Sequence, residues 1–373
     1  MPKTMIDLFA GCGGLSMGLE HAGFKAVFAN EINPICANTY KLNIDIDEDN
    51  VHVCDIADLL RDIETNNITF GNIDLVSGGP PCQGFSMANR QRIIDDSRNK
   101  LYKSYLKFLK IVNPKFFIME NVKGMANKID EIFEDFHRIL GSEYDISYRV
   151  LNAKNYGVPQ NRERLFIIGN RINIKSDDIF KNIESGKYRS YVLEDAISDL
   201  PHLGINKLKN KSTIENNEVG YTERAYIYPQ SEYYDYINNG KHIGYVYNHK
   251  NRYNNERDIN IFTLLPQGAN SLHESIADIM PYKSRNHIFK DKYYKLRMNE
   301  VCKTITSHMK FDCNMYIHPT QSRGLSAREA ARVQTFPDDF IFTGPQNSWY
   351  LQIGNAVPVK LAKVIGGEII KWL

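Results

Sequence analysis

At 373 residues the chain is long enough for one large domain or two ordinary ones, with a sizeable core. Its 42% hydrophobic and 24% charged residues are globular values, which exclude wholesale disorder, and no apolar run reaches the roughly 18 residues of a membrane span. A net charge of +2 excludes a polybasic or polyacidic chain but leaves room for a local basic face.

Six cysteines, at 12, 36, 54, 82, 302 and 313, show no CxxC spacing and no regular framework. That argues against a zinc site or a disulfide scaffold and for a reduced, cytoplasmic setting. The N-terminal MPKTMIDLFAGCGG carries no signal-peptide pattern and goes straight into a strand.

The first 170 residues alternate short apolar runs with amphipathic stretches, the pattern of a parallel α/β sheet. MIDLF (5–9) reads as a strand, LSMGLEHAG (15–23) as a helix closed by Gly23, and KAVFANE (25–31) as the next strand. IDLVSGG (73–79) is another strand, KSYLKFLKIVN (103–113) a helix that stops before Pro114, and KFFIMENV (115–122) and RLFIIGN (164–170) are strands. From 171 to 320 the segment is close to neutral and holds 15 of the 22 tyrosines, with many asparagines and histidines. That composition suits loops and irregular strands presenting hydrogen-bonding groups. From 323 the order returns. SAREAARVQTF (326–336) has helical spacing ended by Pro337, with Ser326 as N-cap and Glu329 at the capping-box position. QIGNAVPVKLAKVIGGEIIKWL (352–373) is a turn followed by a closing helix.

Three features carry chemistry. DLFAGCGG (7–14) runs from a strand through a glycine-rich turn into a helix, where the backbone can approach a ligand and the helix start offers N–H donors. Glu31, about 20 residues on, and Asp55, after VHVC, are strand-end carboxylates suited to ribose hydroxyls and an adenine amino group. No Lys-Ser/Thr follows the loop, so it is not a P-loop, and a single-adenosine cofactor is expected. Taken singly, Glu31 and Asp55 also fit solvated strand ends. The second feature is GGPPCQGFS (78–86), which holds Cys82 in a rigid frame just past a strand, at the edge where open α/β sheets bind ligands. The third is Glu120-Asn121-Val122, which ends its strand at the same edge, so thiol and carboxyl read as nucleophile and proton donor. Alone, Cys82 fits a core-filling turn and Glu120 a capping residue.

DLFAGCGG, GGPPCQGFS, ENV, QNRERLFIIG (160–169), RGLSAREAARVQTFPDDF (323–340) and QIGNAVPV (352–359) follow in that order. Together they resemble the cytosine-5 DNA methyltransferases of bacterial restriction–modification systems. The resemblance covers roughly 1–170 and 320–373. It implies an α/β, Rossmann-like S-adenosylmethionine-dependent methyltransferase sheet (1–170). A smaller irregular target-recognition domain (171–320) and a C-terminal segment (321–373), whose helix returns to the catalytic domain, complete it. By resemblance Cys82 attacks C6 of cytosine as a thiolate, Glu120, followed by Asn121, acts at N3, Arg164 holds O2, and Arg162 supports the catalytic loop or a phosphate. The family's S-adenosylmethionine contacts fall on Phe9, Ala10, Gly11, Gly13, Gly14, Glu31, Ile32, Asp55, Ile56, Pro80, Leu101, Asn355 and Ala356.

A base inside a duplex is out of a thiol's reach, so the resemblance implies that the target flips out of double-stranded DNA. MANRQRIIDDSRNK (87–100), with Arg90, resembles the loop that closes over it, rooted at Gln83 and Ser86. Phosphate contacts are expected from Lys283, Arg285, Lys290, Lys292, Lys295 and Arg297. KTITSHM (303–309) resembles a part shared across targets, which suggests scaffold, and Cys302 and Cys313 read as structural. A monomer without metal is expected. Two alternatives stay open: a tRNA cytosine-5 methyltransferase, against which stands the absence of a Cys-Phe-Thr tripeptide, and a catalytically silent DNA-binding homologue, against which stand intact Cys82, Glu120, Arg162 and Arg164.

Overall fold

The computed structural model describes residues 2–81, 100–209, 213–281 and 292–373. It divides into two compact units: Met1–Tyr156, Arg162–Arg189 and Ala356–Leu373 form the first, Gly157–Asn161 and Ser190–Asn355 the second. The first unit thus runs past residue 170 and takes only the last 18 residues of the expected C-terminal segment, Ala356–Leu373.

In the first unit the chain runs β1 (Lys3–Leu8), α1 (Gly14–His21), β2 (Phe24–Asn30), α2 (Pro34–Asn43), β3 (Val51–His52), α3 (Ile56–Glu64), β4 (Leu75–Gly78), α4 (Lys100–Val112), β5 (Phe116–Val122), α5 (Ile129–Leu140) and β6 (Asp145–Asn152). After β7 (Gln160–Asn161), which belongs to the second unit, come β8 (Glu163–Asn170) and α6 (Ser176–Ser185). The helix expected over 103–113 begins three residues earlier, at Lys100.

Seven strands form one sheet in the order β3-β2-β1-β4-β5-β8-β6. The first five are parallel, but β8 runs antiparallel to both β5 and β6, so the sheet is mixed rather than parallel as its sequence pattern suggested. The reason is topological. The chain leaves β5 through α5, skips a position to lay down β6, and returns directly to fill the gap with β8. An apolar run such as RLFIIGN announces a strand buried on both faces but says nothing about its direction.

The strand order reverses at β1, with β2 on one side and β4 on the other, and the loops leaving β1 and β4 therefore diverge at their carboxyl ends. Beneath this edge Ile6, Leu8, Phe28, Ile56, Leu59, Val76, Tyr105, Phe117 and Met119 share one core with residues of α4 and α5. The closing helix α12 packs against α1. Their approach is so close that a Cβ at Gly18 would stand 2.4 Å from Ala362 Cβ, so only glycine permits the crossing.

The second unit contains α7 (Leu193–Ile197), β9 (Gly220–Ala225), α8 (Glu232–Asn238), β10 (Tyr245–Lys250), α9 (Glu256–Leu264), β11 (Cys302–Lys303), α10 (Ala327–Val333) and α11 (Gln346–Asn355); α12 (Val359–Ile369) returns to the first. Its tyrosines build cores rather than only presenting hydroxyls. Tyr228 and Tyr234 pack with Leu200, Ile243 and Val246, and Tyr293 packs with Ile261, Phe262 and Ile317. α10 carries the expected capping box, with Ser326 and Glu329 bonding reciprocally. It ends at Val333 rather than at 336, because Thr335 turns to φ 59° before Pro337 is reached.

Candidate functional site

The carboxyl edge of the first unit's sheet carries Phe9, Ala10, Gly11, Gly13, Gly14, Glu31, Ile32, Asp55 and Ile56 of the expected cofactor residues. Phe9 (φ 54°), Gly11 (φ 57°) and Gly13 (φ 94°) all take left-handed backbone between β1 and α1. For the phenylalanine this is a strained conformation, of the kind that clusters at ligand sites. Ala10 N–H donates to Asn30 O at 3.0 Å, and Gly13 N–H to Ala10 O at 3.0 Å. A Cβ at Gly11 would meet no atom within 4 Å, so the loop has an open side, whereas one at Gly13 would press Tyr40 and Ile44 at 3.0 Å. Gly14 is the first, buried residue of α1.

Glu31 closes this loop from β2. Its Oε2 accepts from Gly11 N–H and its Oε1 from Asn33 N–H, each at 2.8 Å. Burial raises its pKa against the pull of these bonds. Beside it Ile32 is 63% exposed, an apolar surface where none is needed for folding. Asp55, read from sequence as a strand-end carboxylate, is also the N-cap of α3: its Oδ1 accepts from Ala57 N–H at 2.7 Å. Ile56 belongs to the main core, and Phe9 and Leu101 pack on that same cluster. Asn355 is the exposed last residue of α11, and the chain passes into the first unit at Ala356.

Glu120, Asn121, Arg162 and Arg164 lie at or beside the neighbouring strand ends. Glu120 on β5 is 9% exposed and its Oε1 stands 3.1 Å from Arg164 Nε. Val122 is the register partner of Arg164, and Glu120 shares the face of Val122, so the pair is a diagonal one across the ladder. The reversed direction of β8 makes it possible: a parallel strand would carry its first residues to the opposite edge. Burial raises the Glu120 pKa, and the charges of Arg164 and Arg162 only partly offset it. A Cβ on Gly79, just past β4, would lie 3.2 Å from Glu120 Oε2. Asn121 Nδ2 donates to Pro80 O at 2.9 Å, bracing the turn that leads to Cys82. Arg162 is fully buried, and its Nη2 donates to Ala356 O at 2.8 Å.

Cys82, Gln83, Ser86, Arg90, Lys283, Arg285 and Lys290 lie outside the described residues. Of the other residues expected to contact phosphate, Lys292 is half-buried and Arg297 pairs with Glu300 at 3.2 Å. Lys295 is 9% exposed and its Nζ donates to Phe262 O at 2.9 Å; burial lowers its pKa, so this lysine is a core residue and not a phosphate contact. Cys302 and Cys313 are buried, with thiol pKa values pushed up by that burial to about 12 and about 11. Of KTITSHM, Ile305 N–H donates to Gln160 Oε1 at 2.8 Å and Thr304 Oγ1 to Asn161 O at 2.6 Å, the contacts of a scaffold.

Two groups were not singled out from the sequence. Asp7, 1% exposed, accepts from Ser16 Oγ at 2.5 Å and Ser77 Oγ at 2.9 Å beneath the glycine loop, and burial pushes its pKa up to about 6. Asn30 Nδ2 donates to Cys54 O at 2.9 Å, tying the strand ends that carry Glu31 and Asp55. An acidic residue inside the apolar run MIDLF was the available signal for Asp7.

Among the described residues no helix is long and apolar enough to cross a membrane, and no group of His, Cys, Asp and Glu could hold a metal ion. The profile of the C-5 cytosine-specific DNA methylases matches residues 3–371. The chain is 34% identical over 400 residues to the type II methyltransferase M.DdeI of Desulfomicrobium norvegicum, covering 99% of this chain and 88% of that protein. It is also 34% identical to the type II methyltransferase M.XorII of Xanthomonas oryzae pv. oryzae, covering 99% and 84%. Among solved structures, a DNA modification methyltransferase encoded within an E. coli prophage superposes with a TM-score of 0.75 at 25% identity, covering 99% of each chain. The S. pombe Dnmt2 methyltransferase shares the fold, with a TM-score of 0.57 at 16% identity. The tRNA alternative is less supported than the DNA reading, since the family profile and the name of the E. coli prophage protein specify DNA. The chain belongs to the C-5 cytosine-specific DNA methylase family.

Proposed function

We propose that this enzyme methylates C5 of a cytosine flipped out of a short specific sequence in duplex DNA, through a covalent adduct between Cys82 and C6. The observation that carries the reading is Glu120: a buried carboxyl with its pKa raised, fixed by Arg164 at 3.1 Å, beside the strand end that leads to Cys82. C5 of cytosine is a poor nucleophile. Addition of the Cys82 thiolate to C6 breaks the aromatic system, and the electron pair passes toward N3, where Glu120 supplies a proton. C5 is then an enamine carbon. S-adenosylmethionine, when bound, supplies the sulfonium methyl that C5 accepts. Loss of the C5 proton to a base, departure of Cys82 as thiolate and return of the N3 proton to Glu120 restore the ring.

The chain's own residues fit this cofactor. The open side of the loop at Gly11 admits a ligand against the backbone, and the Glu31 carboxylate, with two acceptor sites per oxygen, can take ribose hydroxyls while holding the loop. Ile32 offers an apolar face for the adenine ring, and Phe9, Leu101, Asp55, Ile56 and Pro80 complete the set. Arg164 orients Glu120 and is available to the cytosine O2, while Arg162 braces the Ala356 turn. Biologically, the reading is a cytoplasmic, monomeric enzyme that protects host DNA in a restriction–modification system.

The test is methyl transfer from labelled S-adenosylmethionine to duplex DNA and to tRNA, with Cys82→Ala as control. Label in DNA that is lost with Cys82→Ala supports the reading, and bisulfite sequencing of that DNA maps the target. Label in tRNA alone overturns it.

A further inference from the structure

The turn Ser307–Lys310, with Phe311 after it, makes a projection on the second unit that the proposed chemistry does not use. It stands on a rigid base. Met309 is fully buried, and Arg252 donates to the carbonyls of Met309 (2.5 Å), Lys310 (3.2 Å) and Phe311 (3.0 Å). The Arg252 guanidinium is itself held over the Tyr350 ring, 5.2 Å from its centroid. Upstream, β11 pairs with β7, so the same strand that leads to the turn is locked to Gln160 and Asn161.

On this base Phe311 is 66% exposed, more than any other phenylalanine, tyrosine or tryptophan among the described residues. Lys310 places its ammonium 4.8 Å from the Phe311 centroid, and the exposed His308 ring lies 5.4 Å away, edge to face. The adjacent Asp312 accepts from Asn314 N–H at 3.0 Å within the turn. A lone exposed apolar side chain is ordinary. An aromatic ring on a clamped backbone, flanked by a lysine and a histidine, is a different thing: it loses little freedom on binding and presents an apolar face beside cations. Bases and thymine methyls bordered by phosphates are the complementary surface. A second protein copy would need a far larger apolar patch than one ring.

We infer that this projection is a DNA contact: Phe311 packs on exposed base surface, and Lys310, with His308, meets the flanking phosphate. The inference rests on the reading that the enzyme acts on duplex DNA, and it divides the segment 302–311 into a scaffold (302–307 and Met309) and a contact (His308, Lys310 and Phe311).

The experiment measures binding of the full chain to a short duplex carrying the site mapped by bisulfite sequencing, and to the same duplex with that site scrambled. Phe311→Ala is expected to weaken binding to the site about 10-fold or more, the loss of one stacking contact. Its thermal unfolding and its affinity for S-adenosylmethionine should stay unchanged. Lys310→Ala should weaken both duplexes alike and lower the log–log salt slope by about one. A Phe311→Ala variant that binds the site within about twofold of the parent overturns the inference. Loss of self-association in place of DNA binding, read by light scattering, overturns it too and assigns the ring to a second copy. If the parent chain neither binds nor methylates duplex DNA, the proposed function itself falls.

Discussion

Three buried arginine–carboxylate pairs, two in the second unit and one in the first, show how the same chemical partners serve opposite ends. In the second unit Glu329 receives Arg323 through two hydrogen bonds of 2.7 and 2.6 Å and the Ser326 N–H at 2.7 Å, with His318 Nε2 at 3.6 Å. Burial opposes its ionisation, but these partners outweigh burial and hold its pKa well below the usual range. Arg332 likewise forks onto Asp338 at 2.8 and 2.7 Å, and Asn238 donates to the same carboxylate at 2.9 Å. In the first unit Glu120 has a 3.1 Å contact with Arg164, and burial wins: its pKa is raised. Saturated with donors, a buried carboxylate is locked in its charged form. Under-supplied, it has its pKa raised by burial and holds a proton more readily. The first arrangement holds a fold, and the second leaves capacity for a substrate.

Substitutions break the comparison most sharply. Glu120→Gln keeps shape and hydrogen bonding but removes the proton, and single-turnover methyl transfer should fall by roughly 10²–10⁴-fold while the melting temperature barely moves. Arg332→Met should do the reverse. It strands Asp338 and Asp199 as buried charges and should cost about 3–5 kcal/mol in urea unfolding, as breaking a buried pair does.

Acid sharpens the contrast because the groups carry opposite signs. His249 and His318 are held neutral in the fold, chiefly by burial, with pKa values lowered from 6.5 to about 4 and about 3. Below pH 6.5 the unfolded chain takes up protons that the folded one refuses, so their contribution is full above that pH and fades as it falls toward 4 and 3. Glu329, with its depressed pKa, adds a further loss below its ordinary 4.5. Glu120 works the other way: its raised pKa contributes stability at low pH that is lost as pH rises through the folded value. Asp7 and Glu20, whose pKa values burial raises to about 6 and about 7, oppose the histidines as Glu120 does, so the check is a variant: between about pH 7.5 and about pH 5 the urea midpoint of His318→Gln should lose less on acidification than the parent's. The smallest effect is expected from Ser326→Ala, which removes the α10 cap and a partner of His249 Nδ1 and should cost about 1 kcal/mol by the same unfolding measurement.

How far the sequence revealed these regions depends on the kind of physics each uses. The glycine loop, Glu31 and Glu120 were legible because local rules demand them: left-handed turns need glycine, and strand ends carry the polar groups. Ser326 and Glu329 were legible as a capping box, yet their partners Arg323, His318 and His249 were not, because those contacts join distant residues. The direction of β8 was hidden, since a run of apolar residues looks the same in either sense, and Arg164 reaches Glu120 only through that direction. Lys295 and the middle tyrosines misled for a related reason. Their side chains are long and amphipathic, so composition cannot tell an exposed hydroxyl or ammonium from one anchored inside a small core.

A duplex carrying 5-fluorocytosine at the mapped target tests the central claim most directly, because fluorine at C5 cannot leave as a proton and the covalent adduct accumulates. With S-adenosylmethionine present, the parent chain should form a protein–DNA adduct visible by mass spectrometry, Cys82→Ala should form none, and Glu120→Gln should form it slower by roughly 10²-fold or more. An adduct that survives Cys82→Ala, or one that forms at the parent's rate in Glu120→Gln, would contradict the account.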